Sequence, residues 1–393
     1  MIDLAALRAD TPGCAEVLHL NNAGASLPTR QVVAAVTGHL TREMLTGGYE
    51  AAREAEPAVR DTYAALAALI GAAPDEIAVV ENATRAWDLA FYGIPLRAGD
   101  RVLTSRAEYG ANFVAYLQRQ RRDGVAIVVL PDDPATGTVD LTALEAELRR
   151  GAALVSLPHV PTGSGVVAPA AAVGRLAKAH GALYLLDACQ SAGQLDLDVD
   201  ALQCDFLSAT GRKYLRAPRG TGFLYCRASV LPQIEPPILD HHAATWTGPD
   251  SFEMAPTAQR FEVWEGNVAA KIGLGVAVRY ALAVGVPAME ARIRGLAADL
   301  RGRLTDVPGV RVRDEGSDLC GLVTFTAEGH EPAAVQAALR ARRINVSVSG
   351  AASSLLDFQA RGLTSVLRAS VHAYNSEDEI ARFTDTLAEV LRG

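Results

Sequence analysis

The sequence predicts an α/β protein built on a doubly wound sheet, and three observations predict it. Short apolar runs alternate with longer alanine-rich helical patterns between Ile77 and Tyr225. The 393 residues are 49% apolar and 21% charged, an ordinary globular balance with enough apolar surface for more than one core. Small and polar motifs follow directly after the apolar runs, at the carboxyl ends of strands where such a sheet places its ligands. The natural division is a large domain over 19–264 and a smaller α/β domain over 265–393, with residues 1–18 packing against the smaller one.

Taken in order, the strands are Ile77–Val80, Arg101–Leu103, Ala126–Leu130, Leu154–Leu157, Leu183–Leu186, Phe206–Ser208 and Gly222–Tyr225, each a short apolar run. Helical patterns fill the gaps: Thr29–Met44, Ala58–Ile70, Ala86–Tyr92, Asn112–Arg121, Leu141–Arg149 and Pro169–His180. After Pro237 the pattern loosens, and His241 to Pro249 shows turn formers and aromatics without a period. A long helix over Val268–Val284 leads into the second domain. No internal repeat or low-complexity segment interrupts the chain.

Charge and cysteine usage narrow the function classes. A net charge of −8 without a basic cluster argues against nucleic acid, which needs a cationic face. The cysteines at 14, 189, 204, 226 and 320 form no Cys-x-x-Cys pair, so neither a zinc site nor a disulfide framework is expected. The first residues lack a basic segment leading into an apolar core, and no apolar run reaches the ~20 residues of a spanning helix. These features predict a soluble cytoplasmic protein without a membrane partner.

Lys213, in Thr210-Gly211-Arg212-Lys213, lies twenty-six residues after Asp187, which opens Asp187-Ala188-Cys189-Gln190. An acid able to sit on a pyridinium nitrogen, followed by a lysine among hydroxyl and cationic groups, is what a pyridoxal 5'-phosphate site requires. The carboxylate keeps the ring nitrogen protonated. The lysine forms a Schiff base with the cofactor aldehyde and then moves protons as a free amine. Singly, Asp187 reads as a strand-end turn residue and Lys213 as a solvated lysine. Ala83 and Thr84, at a helix start after Ile77–Val80, offer backbone N–H groups and a hydroxyl to a phosphate. Read plainly, Thr84 is a helix cap.

With these motifs stand His19-Leu20-Asn21-Asn22-Ala23-Gly24, Glu81-Asn82-Ala83-Thr84, Ala107-Glu108-Tyr109-Gly110, Arg260-Phe261-Glu262 and Arg368-Ala369-Ser370. From about Leu18 onward the chain resembles the class V aminotransferase branch of fold-type I pyridoxal phosphate enzymes, on the isopenicillin N epimerase-like and cysteine desulfurase-like side. The resemblance implies a large seven-stranded-sheet domain, a small C-terminal domain, and a homodimer with active sites near the interface. It also implies that Ala83, Thr84, Thr210 and Arg212 hold the phosphate and that Tyr109 stacks on the ring, with a core aromatic as the alternative. Gln190 and Thr162 would reach the ring oxygen, although relatives carry asparagine at the latter. Trp246 would bind phosphate or wall the pocket, or fill a satellite core. Asn267 would reach the partner's phosphate, Asn22 would face the substrate, and Arg368 would grip its α-carboxylate.

Cysteine desulfurases carry a nucleophilic cysteine shortly before this arginine, whereas Asn345 to Thr364 contains no thiol. Persulfide-forming desulfuration is therefore not expected. The shared residues do not choose among β-elimination, epimerisation, transamination and decarboxylation. The resemblance includes C–S lyases of ergothioneine-type and lincosamide-type sulfur pathways. The working expectation is accordingly a C–S lyase releasing a thiol or sulfenate, pyruvate and ammonia from an S-substituted cysteine or its sulfoxide. An aminotransferase or epimerase is the alternative.

Overall fold

A computed structural model describes residues 2–393. Seven strands make the central sheet: β1 (Ile77–Val80), β2 (Arg101–Ser105), β3 (Ala126–Leu130), β4 (Leu154–Pro158), β5 (Leu183–Asp187), β6 (Phe206–Thr210) and β7 (Gly222–Cys226). Their spatial order is β1-β7-β6-β5-β4-β2-β3. β7 runs antiparallel to both neighbours, while the remaining pairs are parallel. β1, β2 and β4 to β7 are buried almost throughout, so each reads as a continuous apolar run instead of an alternation. The edge strand β3 is largely half-buried. The antiparallel insertion of β7 reverses the chain between Lys213 and β1, and it brings the start of β7 against the exit of β1. At Gly222 a Cβ would lie 2.7 Å from the carbonyl carbon of Asn82, so the backbones meet there only because the side chain is absent.

Helices Arg30–Thr46 and Glu56–Ile70 pack on helix Val268–Val284. A second, four-stranded antiparallel sheet has the order Val310–Val312, Leu322–Ala327, Ser365–Ser370, Ser347–Gly350. Helices Val286–Thr305, Pro332–Ala341 and Glu377–Arg392 pack together beside it. The N-terminal segment joins this half: Leu18–His19 pair in parallel with Ile344–Asn345, and Asn21 bridges to Ser370. Among the described residues, no single helix is long and apolar enough to cross a membrane.

Two stretches expected to lack pattern are ordered. Ala244–Gly248 and Ser251–Met254 form a hairpin, and its mostly exposed side chains explain why no buried periodicity marks it. Between Ser347–Gly350 and Ser365–Ser370 the chain forms a 3-10 turn and the helix Leu355–Ala360. That segment docks on the large sheet's loops, where the Ser354 hydroxyl donates to the Glu108 carbonyl at 3.1 Å. Gly110 accommodates it, since a Cβ there would stand 2.4 Å from the Ala352 carbonyl oxygen.

Candidate active site

The carboxyl ends of β1, β2, β4, β5 and β6 open onto one cleft of about 410 Å³. Of the residues proposed from sequence, Ala83, Thr84, Tyr109, Thr162, Asp187, Gln190, Thr210, Arg212 and Lys213 line it. At its β1 end, Asn82 caps the helix Ala83–Gly93, its side-chain oxygen accepting from the Arg85 N–H at 2.9 Å. Asn82 rather than Thr84 is thus the cap. The Thr84 hydroxyl stays exposed at a helix N-terminus, a place suited to an anion.

Asp187 ends β5 and is buried. It accepts from the Cys189 N–H at 2.8 Å and from the Asn112 side chain at 3.1 Å. Burial pushes its carboxyl up, while the Cys189 N–H, the Lys213 charge and Asn112 oppose the shift. Lys213, three residues beyond β6, is also buried, and desolvation holds its ammonium below the usual lysine range. Arg212 and Arg368 push the same way, while Cys189 and Asp187 oppose them. A lysine so placed presents a free amine at lower pH than a surface lysine does. Three residues on, Arg216 adopts left-handed backbone (φ 64°). Its guanidinium donates to the Leu27 carbonyl at 2.9 Å and to the Thr11 hydroxyl, and lies 4.8 Å from the Tyr374 ring centre.

Arg368 projects from the second sheet and is buried. Its Nη1 donates to the Thr162 hydroxyl at 2.7 Å and carbonyl at 3.0 Å, and its Nε to the Ser347 hydroxyl at 3.1 Å. Among the described residues no carboxylate pairs with it, and burial pushes its pKa down to about 10. A buried guanidinium without a counter-ion, its Nη2 given no protein acceptor, is chemically suited to receive a carboxylate. Thr162 therefore supports Arg368, and its hydroxyl, accepting from the guanidinium, keeps its own proton free to donate. The Gln190 Oε1 is buried without a partner, while its amide nitrogen donates to the Ala23 carbonyl at 3.4 Å.

Besides Arg368, which borders the cleft through Thr162 without lining it, three sequence-proposed residues lie outside it. Asn22 is fully buried, its amide donating to the Ser370 carbonyl at 2.7 Å and its oxygen receiving the Tyr374 hydroxyl, so it ties strands together instead of meeting a ligand. Trp246 is 78% exposed on the hairpin. Asn267 caps helix Val268–Val284 and lines a separate small cavity with Glu81 and Thr221.

Sequence reading missed Asn112, Glu108, Tyr116 and Ser347. Asn112 donates to both Asp187 (3.1 Å) and Glu108 (3.0 Å), and Glu108 also accepts from Tyr116, Thr104 and the Tyr109 N–H, each at 2.8 Å. Asn112 and Tyr116 share one face of the helix Gly110–Asp123, and Glu108 stands one position before its cap, so the i, i+4 spacing was a signal present in the sequence.

A Lewis-basic amine, a buried acid at the end of β5, an orphaned amide oxygen and a helix N-terminus converge on one cleft, so the residues fit pyridoxal phosphate. The family model for class V aminotransferases matches residues 18–383. A probable cysteine desulfurase of Xylella fastidiosa is 33% identical over 345 residues, covering 86% of this chain and 81% of that one. Another, from Methanothermobacter thermautotrophicus, is 28% identical and covers 98% and 97%. The apo cysteine desulfurase of Thermococcus onnurineus superposes with a TM-score of 0.92 at 27% identity, covering 100% and 99%. These relatives overturn both the expectation that desulfuration is excluded and the C–S lyase expectation that rested on it. The expectation rested on the thiol-free stretch Asn345 to Thr364, which bears on an acceptor within the chain and not on the class of reaction. The chain belongs to the class V aminotransferase family and is a pyridoxal phosphate-dependent enzyme.

Proposed function

We propose that this enzyme removes the sulfur of L-cysteine and delivers it to a thiol that enters the cleft from outside the chain. The observation that carries the reading is the unpaired, buried Arg368, bonded to Thr162 at the edge of the cleft that holds Lys213 and Asp187. The relatives' names supply the substrate class. When bound, the cofactor supplies an aldehyde for the substrate amine and a ring that accepts electrons from the α-carbon.

The chain's own residues do the rest. The helix start at Ala83 and Thr84, with Thr210 and Arg212, would hold the phosphate, and Gln190 the ring oxygen. Asp187 would hold a negative charge at the ring nitrogen and Tyr109 would cover a ring face. Arg368 fixes the α-carboxylate in two hydrogen bonds and so orients the Cα–H bond. The Lys213 amine takes the α-proton and returns protons to carbon. The acceptor thiolate attacks the substrate sulfur, the C–S bond breaks with its electron pair left on the β-carbon, and that carbon is protonated. Cysteine and a thiol thus give alanine and a persulfide, with atoms and electrons balanced.

Cys189 lines the cleft next to Asp187 and Lys213. Burial pushes its thiol up, making it a poor nucleophile. A second copy of the chain completes the reading: Met44 (76% exposed), Leu45, Tyr49, Trp246 and Phe252 are large apolar side chains left on the surface and suit a homodimer. The division at 264/265, with residues 1–18 on the smaller unit, belongs to the same proposal.

The test supplies L-cysteine and dithiothreitol to the pyridoxal phosphate-loaded protein. Alanine and sulfide in equal amounts, retained in Cys189→Ser and rising with the concentration of added dithiothreitol, are expected. Pyruvate without alanine would overturn the reading.

A further inference from the structure

Glu108 belongs to no role assigned above, yet its setting is built with care. It is buried, follows β2, and accepts four hydrogen bonds, from Thr104, Tyr116, Asn112 and the Tyr109 N–H. Among the described residues no Lys, Arg or His pairs with it. The nearest guanidinium along the chain, Arg106, is turned to Asp132 at 3.2 Å. A carboxyl out of water without a counter-ion is costly, so such a position persists only where donors occupy its lone pairs.

The two N–H groups of Asn112 decide what the arrangement does. Its Nδ2 lies 3.0 Å from Glu108 Oε1 and 3.1 Å from Asp187 Oδ2, so one amide bridges two carboxyl groups. Groups joined in this way titrate as a unit. We propose that Glu108 is a positioning residue that, through Asn112 and Asp187, sets how strongly the bound cofactor holds its protons. The inference rests on Asp187 meeting the ring nitrogen, as in the reading above, but not on the identity of the substrate.

Burial and the neighbouring Asp187 push Glu108 up to about 7, against the pull of its hydroxyl and N–H donors. The second carboxyl is therefore poised to change charge near neutrality. The other titratable groups facing this unit are the Tyr116 hydroxyl from the helix Gly110–Asp123, Cys189 after β5, and Lys213 after β6. Arg212 and Arg368 lie beyond them. As Glu108 ionises, its added negative charge stabilises the protonated, cationic form of the lysine-linked cofactor. Removing the charge must favour the deprotonated form.

The experiment is a pH titration of the visible band of the loaded enzyme, together with thermal melting. Glu108→Gln should move the spectral midpoint downward by about one unit, as expected for loss of a charge at this range in a partly screened interior. Asn112→Ala, which cuts the bridge and leaves Glu108 in place, should also move it. A merely structural Glu108 would lower the melting temperature and leave the midpoint where it is, and that result overturns the proposal. Should Glu108→Gln fail to fold, Tyr116→Phe removes a single donor, raises the Glu108 pKa and must shift the midpoint in the same direction. An unmoved midpoint there is equally fatal. Absence of any visible band in the wild-type protein with added pyridoxal phosphate would instead sink the assignment of the cleft and the proposal with it.

Discussion

Thr162→Val tests the carboxylate receptor with little disturbance, because valine keeps the branched shape and removes one hydroxyl. That hydroxyl accepts from Arg368 Nη1 at 2.7 Å, the shortest of the three contacts that fix the guanidinium. A hydrogen bond to a charged group contributes roughly 1.5–3 kcal/mol. The Thr162 carbonyl and the Ser347 hydroxyl remain in the variant, so the lower end applies, about 1.5 kcal/mol, or roughly tenfold in affinity. The assay titrates L-alanine and L-cysteine into the loaded enzyme, follows the cofactor's visible band, and measures KM and kcat in parallel. The expected outcome is about tenfold weaker binding of both amino acids and a matching rise in KM, with kcat nearly unchanged. Unchanged affinity would refute the role given to Thr162. A fall in kcat at constant KM would place the residue in the chemistry instead of in carboxylate binding.

Lys213→Ala should abolish the visible band and lower turnover by at least about a thousandfold while leaving the melting temperature within a few degrees; a surviving band would assign the linkage to another lysine. Gly222→Val forces a side chain against Asn82, so pyridoxal phosphate should bind about tenfold more weakly, measured by equilibrium dialysis, with a melting penalty of about 1–3 kcal/mol. His159 and His372 are buried, and desolvation lowers them to about 4 and about 3 respectively. Their folded values lie below the unfolded ones, so this stability is full above pH 6.5 and is lost as pH falls toward 4. Each can remove on the order of 3 kcal/mol. Urea melts from pH 7 to 4 should show that slope, and His159→Asn should flatten it.

Much of the large sheet was legible because its strands are buried on both faces and so read as plain apolar runs. Each sequence-predicted strand lies within the observed one, and helix Val268–Val284 agrees at both ends. The hairpin at Ala244–Met254 left no trace, since exposed strands have no apolar alternation to display. Asp187 and Lys213 could be found because each closes or follows a strand within a short motif. The Thr162 contact to Arg368 could not, because it joins residues 206 positions apart whose pairing is a property of packing. Nor could sequence tell that Asn22 would use its amide on Ser370, or that Trp246 would stand on the surface. The missing thiol of Asn345 to Thr364 was read correctly as composition and wrongly as mechanism.

The left-handed Arg216 carries a consequence for how the enzyme comes into being. A non-glycine residue in that conformation costs about 1–2 kcal/mol, and it is held there by Thr11, Leu27 and Tyr374. Thr11 and Leu27 precede Arg216 by 205 and 189 positions, and Tyr374 follows it by 158. The turn that presents Lys213 is therefore completed only when segments far apart in sequence have packed together.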